Sequence, residues 1–380
     1  MADSRITKAG AVLAAAALLA SGTSAVGAAD PAPGSRVTAS SEGFALDGQP
    51  WWPTGFNAYQ LATNWSVNWG CGAMVDLGSY FSSLPAHSLT RFNLFQALAI
   101  NRFTGQLDFG PIDAVFAAAE AHDQMVIPVL APQDGACEDD VFKGRQWYVD
   151  GWQTMTPGAP RTLMSFQDWM HTAVDRYKDS SSLAAWELVG EPETSTCTDA
   201  ACSWWTRSCG PDAAQVLRDF FDDAGAELRA RDPRTLITGG FTGGGQCGTQ
   251  GDEYQFVGAS PYVDVVQYHD YGADAVPLPG DQWNGLGRRL EQAEALGKPL
   301  LMGEIGELAG SCGDLGDRAA HITTKLTGQR DAGAAGALLW AFVPDPRPTE
   351  CTYDVGPDDP LWDVVEQFGS LGTGTAPGAY

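Results

Sequence analysis

Short, continuous apolar runs alternate with longer stretches of helical periodicity along most of the chain. The runs are "WWPTGFN" (51–57), "SLTRFNLF" (88–95), "MVIPVL" (125–130), "LAAWELVG" (183–190), "TLITGG" (235–240), "VDVVQYH" (263–269), "PLLMGEI" (299–305) and "GALLWAF" (336–342). Most lack the strict apolar–polar alternation of a half-solvated strand, so they read as strands buried on both faces. Between them, residues 112–123, 165–179, 212–232 and 316–333 carry apolar side chains at helical spacing. Ser165 and Asp212 stand where N-caps belong, and Pro233 ends the helix before it. Eight buried strands alternating with helices predict a (β/α)₈ (TIM) barrel in a single domain. The intervals between strand starts are 28–37 residues, except for 58 and 52 after the third and fourth strands. Loops that follow strands build the active-site face of such a barrel. The two inserts, holding "FKGRQWYVDGWQ" (142–153) and "CTDAACSWWTRSCG" (197–210), are therefore expected to wall a cleft.

The N-terminus changes the compartment rather than the fold. Arg5 and Lys8 precede "AVLAAAALLA", and small residues follow it towards Ala28 and Ala29. This order predicts an export leader over 1–29 and a barrel domain over 30–380. The apolar run is too short for a stable membrane anchor, and no later segment is long enough to cross a bilayer. The expected location is extracellular, with no membrane association after cleavage.

Formal net charge is −25 over 380 residues, and losing the leader makes it one unit more negative. So acidic a surface argues against nucleic acid and anionic lipid as partners, and it suits a neutral substrate. An even count of eight cysteines in an exported chain predicts disulfides, with the connectivity left open. No CxxC pair and no histidine at finger spacing supports a zinc alternative. A monomer without metal or cofactor is expected.

Function in this architecture belongs at strand C-termini. The fourth run breaks at "VGEPET" and the seventh at "LMGEIGE", placing Glu191 and Glu304 at equivalent tips. A glutamate buried at a strand tip is costly unless it is bonded or used. Two facing one mouth suit glycosidic hydrolysis, one protonating the leaving oxygen and the other attacking the anomeric carbon or activating water. The bland alternative is a pair of strand-end ion pairs; it weakens because both tips, the strand rhythm and the aromatic content agree. Glu187 reads as a buried, paired glutamate inside its strand, Glu193 as a loop residue, and Glu307 as lying beyond the seventh strand. Glu191 is expected to have its pKa raised by the charge of Glu304.

These residues together resemble glycoside hydrolase family 5, within the clan of retaining barrel glycosidases. Glu191 and Pro192 match the fourth-strand signature, whose glutamate is the acid/base, and Glu304 matches the seventh-strand nucleophile. The resemblance also implies site roles for Arg91 in "LTRFNLF", His269 and Tyr271 in "QYHDYG", and Trp340 in "LLWAF". Arg91 and Tyr271 are expected to bond the nucleophile, His269 the substrate hydroxyls, and Trp340 a sugar face. "GFNAYQL" (55–61), with Asn57 and Tyr59, resembles β-1,4-mannanases of the family and points to an exported endo-acting mannanase. Alternatives are an exo-glycosidase, a glucan- or galactan-cleaving relative, and a non-catalytic carbohydrate-binding barrel.

The last alternative arises because the family's asparagine before the acid/base is Gly190 here. Gly190 is expected to face open space near the sugar 2-hydroxyl, unless a positive φ requires it.

Thirteen tryptophans and ten tyrosines are many for this length. Trp65, Trp69, Trp147, Tyr148, Trp152, Trp204, Trp205 and Trp283 fall in loops, where some are expected to pack and a few to touch sugar. "GGGQCG" (243–248) satisfies the dinucleotide-binding glycine pattern, but the following "TQGDEYQF" leaves little room for the required helix. No Gly-x-Ser-x-Gly elbow and no paired-histidine metal motif occurs.

Overall fold

A computed structural model describes residues 36–155, 160–199 and 202–370. The leader expected over 1–29, its cleavage zone and the last ten residues lie outside these. The described residues belong to one compact unit.

Each of the eight apolar runs coincides with a strand, the sixth strand running one residue past its run: β1 (Thr54–Phe56), β2 (Leu89–Asn93), β3 (Met125–Val129), β4 (Ala185–Glu187), β5 (Leu236–Thr238), β6 (Val266–Asp270), β7 (Leu300–Ile305) and β8 (Gly336–Leu339). Nearly every residue in them is buried, as their continuous apolar character requires. Each is followed by a helix: α1 (Leu77–Ser83), α2 (Gly110–Ala121), α3 (Phe166–Tyr177), α4 (Ala213–Arg231), α5 (Glu253–Gly258), α6 (Leu286–Leu296), α7 (Leu315–Asp331) and α8 (Leu361–Ser370). Ser165 caps α3, its hydroxyl accepting from the Asp168 amide. Asp212 occupies the N-cap position of α4 without capping it, because its carboxylate is held by Arg145.

The strands form two parallel four-stranded sheets, ordered β5-β4-β3-β2 and β6-β7-β8-β1. Parallel bridges Asn57–Arg91 and Thr238–Val265 join β1 to β2 and β5 to β6. An antiparallel ribbon, Val37–Ser40, Gly43–Leu46 and Gln49–Trp51, precedes β1. Its Val37, Phe44 and Leu46 pack with Leu89, Met125, Ala185, Leu301 and Leu338 near the strands' N-terminal ends. The opposite ends are left to the loops. Four disulfides stitch these loops: Cys71–Cys137, Cys197–Cys202, Cys209–Cys247 and Cys312–Cys351. Among the described residues no helix is long and apolar enough to cross a membrane.

Candidate active site

A cleft of about 640 Å³ opens at the strand C-termini, lined by Tyr59, Arg91, Glu191, Tyr271, Glu304 and Trp340 among others. Six of the eight residues singled out from sequence thus line one cavity.

Glu304 lies near the end of β7 and is buried. Its Oε1 accepts from Arg91 Nη1 at 2.7 Å, and its Oε2 accepts the Tyr271 hydroxyl. Arg91 is fully engaged. Nε and Nη2 donate to Glu187, Nη2 at 2.6 Å, and Nη1 also reaches Asn57 Oδ1 at 2.9 Å. Asn57 in turn donates Nδ2 to the Gly303 carbonyl at 2.9 Å, so both ends of its buried amide are used inside the protein. Asn57 fixes Arg91 and β7 rather than facing the cleft.

Glu191 follows β4 and takes a left-handed backbone conformation, φ +61°. A non-glycine residue there costs on the order of 1–3 kcal/mol, and such residues cluster at active sites. Its amide donates to the Gly240 carbonyl at 3.0 Å, which holds the turn. The Glu191 side chain remains 45% exposed, facing the cleft.

His269 stands between the carboxylates. A register shift between Tyr268 and His269 sets His269 opposite Glu304 across the β6–β7 ladder. Such irregularities re-aim side chains. Its Nδ1 lies 2.7 Å from Glu191 Oε1 and 3.6 Å from Glu304 Oε2. Its Nε2 lies 3.2 Å from Gln267 Oε1. Gln267 Nε2 donates to Glu187 Oε2 and to Thr238 Oγ1, both at 2.6 Å, so Oε1 is its accepting end. His269 therefore carries a proton on Nε2, and its Nδ1 either donates to a glutamate or accepts from one. Both ring nitrogens are spent on protein partners, which differs from the substrate-hydroxyl role expected from sequence.

The electrostatics reverse one expectation. Burial works against ionisation of Glu191, but the hydrogen bond from His269 and the charges of His269 and Arg91 outweigh it and hold Glu191 below the usual carboxylate range. Glu191 being nearly half exposed weakens the burial contribution further. Glu304 is the member pushed up, first by burial and then by Glu191, against His269 and Arg91. Burial lowers His269, yet Glu304 and Glu191 raise it more, so it sits above the ordinary imidazole range. With Glu191 lowered and His269 raised, the proton of the Glu191–His269 contact favours the imidazole.

Gly190 departs from its expected surroundings. A Cβ there would lie 3.0 Å from Arg91 Nη2 and 3.3 Å from Val129 Cγ1, so the position abuts the arginine rather than open space. Its own φ is not left-handed; that of Glu191 is.

The loop aromatics divide. Trp147, Tyr148 and Trp152 are buried, packed around Phe220, whereas Trp65, Trp69, Trp204, Trp205 and Trp283 are exposed. Tyr59 and Trp340 stack on one another at 5.8 Å in the cleft wall. Phe142, Arg207, Gln246 and Tyr353 also line the cleft and were not singled out. Around the glycine-rich stretch, Arg289 donates to the carbonyls of Gly243, Thr249 and Gly251. A phosphate cradle presents amides instead, and α5 begins only at Glu253.

No family model matches the chain. Over 350 residues it is 24% identical to the probable mannan endo-1,4-beta-mannosidase F of Neosartorya fischeri, covering 81% of this chain and 68% of that one. Against several further curated mannan endo-1,4-beta-mannosidases it spans about half of their length. Among solved structures, the endo-1,4-beta-mannanase of Rhizomucor miehei matches with a TM-score of 0.64 at 18% identity, over 89% of this chain and 99% of that one. A glycoside hydrolase family 5 mannosidase from the same organism matches with a TM-score of 0.57 at 13% identity, over 88% and 97%. By sequence the chain is a distant relative of the curated mannan endo-1,4-beta-mannosidases, and its fold is that of the two Rhizomucor miehei structures.

Proposed function

We propose that this chain is an exported, retaining endo-β-1,4-mannanase on a closed (β/α)₈ barrel, with Glu304 as nucleophile and Glu191 as acid/base. Closure is supported by the two parallel bridges that link the sheets at both of their edges. The mannan substrate is supported by the names of the curated relatives and structural neighbours. Export is supported by the leader-like N-terminus and four disulfides.

The observation that carries the reading is the catalytic geometry. Glu191, His269 and Glu304 each offer a ligand atom, and all lie within 4.8 Å of one another. Retaining enzymes place their carboxyl groups about 5–5.5 Å apart, whereas inverting ones leave about 6.5–9.5 Å for a water. Glu304 attacks the anomeric carbon as Glu191 protonates the departing oxygen. A glycosyl ester forms on Glu304, which removes its negative charge. Glu191, now a base, takes a proton from water, and the water displaces Glu304 with overall retention. Arg91 and Tyr271 orient the nucleophile by charge-assisted hydrogen bonds. Asn57 positions Arg91, His269 supplies the mobile proton, and Tyr59 and Trp340 offer ring faces to the sugar.

The test is digestion of mannan, glucan and galactan with the purified chain, with chromatography of products and NMR of the first anomer released. A mannooligosaccharide ladder with β-anomers first is expected. Single sugars would redirect the reading to exo cleavage, α-anomers to inversion, and a glucan or galactan ladder to another substrate. Binding without products would leave a carbohydrate-binding barrel.

A further inference from the structure

A second cluster of ligating groups lies beside the active-site strands. Asp274 follows β6, three residues beyond Tyr271, and Glu307 follows β7, three residues beyond Glu304. His321 lies on α7. One ligating atom from each comes within 4.8 Å of the others. Glu307 is 8% exposed; its Oε1 contacts His321 Nδ1 at 2.7 Å, and its Oε2 is buried with no hydrogen-bond partner. Among the described residues, Glu307 has no side-chain partner outside this trio. A buried carboxylate oxygen without a donor is costly and calls for an explanation, such as a bound ion.

The catalytic trio Glu191, His269 and Glu304 is equally close, but there Arg91 supplies a positive charge and both Glu304 oxygens have donors. No arginine or lysine pairs with Asp274, Glu307 or His321 among the described residues.

We propose that Asp274, Glu307 and His321 bind one divalent transition-metal ion of the zinc type, tying the loops after β6 and β7 to α7. One imidazole nitrogen with two carboxylates suits such a borderline ion better than calcium or magnesium, which favour oxygen donors alone. Zinc takes nitrogen and carboxylate oxygen at about 2.0–2.2 Å. It would replace the proton between His321 and Glu307, and the exposed Asp274 side leaves a fourth position to water. The role is structural: the ion fixes, from outside the cleft, the two loops that begin at Tyr271 and Gly306.

The experiment uses the full chain stripped with EDTA. Zinc chloride is titrated by calorimetry in two buffers of different ionisation enthalpy, and Tm is recorded with and without zinc. One equivalent is expected to bind with proton release and to raise Tm. Asp274→Ala and His321→Ala should each abolish both effects. Asp274 is exposed, so its variant should match the metal-free Tm of the parent. No uptake by the parent, or uptake that either variant retains, would overturn the site. Mannan cleavage is not the readout, so the glycosidase reading can fail without touching this one.

Discussion

Gly190 shows how one side chain's surroundings can reverse an argument made from residue type. Its missing Cβ makes room for Arg91, whose guanidinium holds Glu187 and Glu304 together. Gly190→Asn should push that guanidinium aside. We expect Tm to fall by an amount corresponding to about 1–3 kcal/mol of overpacking, kcat to fall with it, and the mannan-to-glucan preference to stay put. An unchanged Tm with a changed preference would instead make position 190 a sugar contact. Glu191→Gln should reduce kcat on mannan by on the order of 10²–10⁴ and slow an activated aryl mannoside's first step much less, because that leaving group needs little protonation. Equal losses on both substrates would remove Glu191 from the acid/base role. His269 makes a sharper prediction. With the site proton favouring the raised imidazole beside Glu191, the basic limb of kcat/KM marks loss of that proton above the ordinary imidazole range. In His269→Asn the proton rests on a carboxyl alone, so the basic limb should move to lower pH. A limb that stays in place would show that His269 does not hold the proton.

Elements were legible where their physics is local. Strands buried on both faces write themselves as continuous apolar runs; seven lie inside the expected segments and β6 runs one residue past its own, to Asp270. The ribbon at Val37–Trp51 was not foreseen, because its three short strands carry little apolar alternation. Nor was α8, although Leu361, Val364, Val365 and Phe368 repeat at helical spacing. Glu191 and Glu304 could be found because each interrupts an apolar run. Gln267 could not: it holds His269 two residues along β6, but the bond that orients it reaches Glu187 on β4, past the intervening β5, and exists only in the folded sheet. Cysteine pairing is likewise a long-range fact. Cys71–Cys137 joins the loop after β1 to the loop after β3, and both cysteines line the cleft. Replacing both by alanine should cost about 2–4 kcal/mol in stability and raise KM on mannan more than it lowers kcat, since cleft walls loosen while Glu191 and Glu304 stay at the ends of β4 and β7. A lower Tm with KM unchanged would confine the bridge to a stabilising role.

At the scale of the whole molecule, the net charge of −25 bears on what can approach the cleft. Steering by a protein's summed field acts on charged ligands and is screened by salt. A neutral mannan gains nothing from the field and loses nothing to it. The protein itself does feel it, because like charges on a compact surface repel. Raising salt from about 20 mM to about 500 mM shortens the screening length severalfold. Over that range we expect Tm to rise as self-repulsion is screened, while kcat/KM on unsubstituted mannan changes by less than about twofold. A carboxylated polysaccharide should behave differently, bound poorly at low salt and better as salt screens the repulsion. The two measurements separate stability from recognition: Tm is read by thermal melting, and kcat/KM by reducing-end release at a temperature well below every Tm. If kcat/KM on mannan climbed steeply with salt while Tm stood still, the rate would be limited by a charged encounter. A neutral polysaccharide would then be the wrong substrate for this cleft.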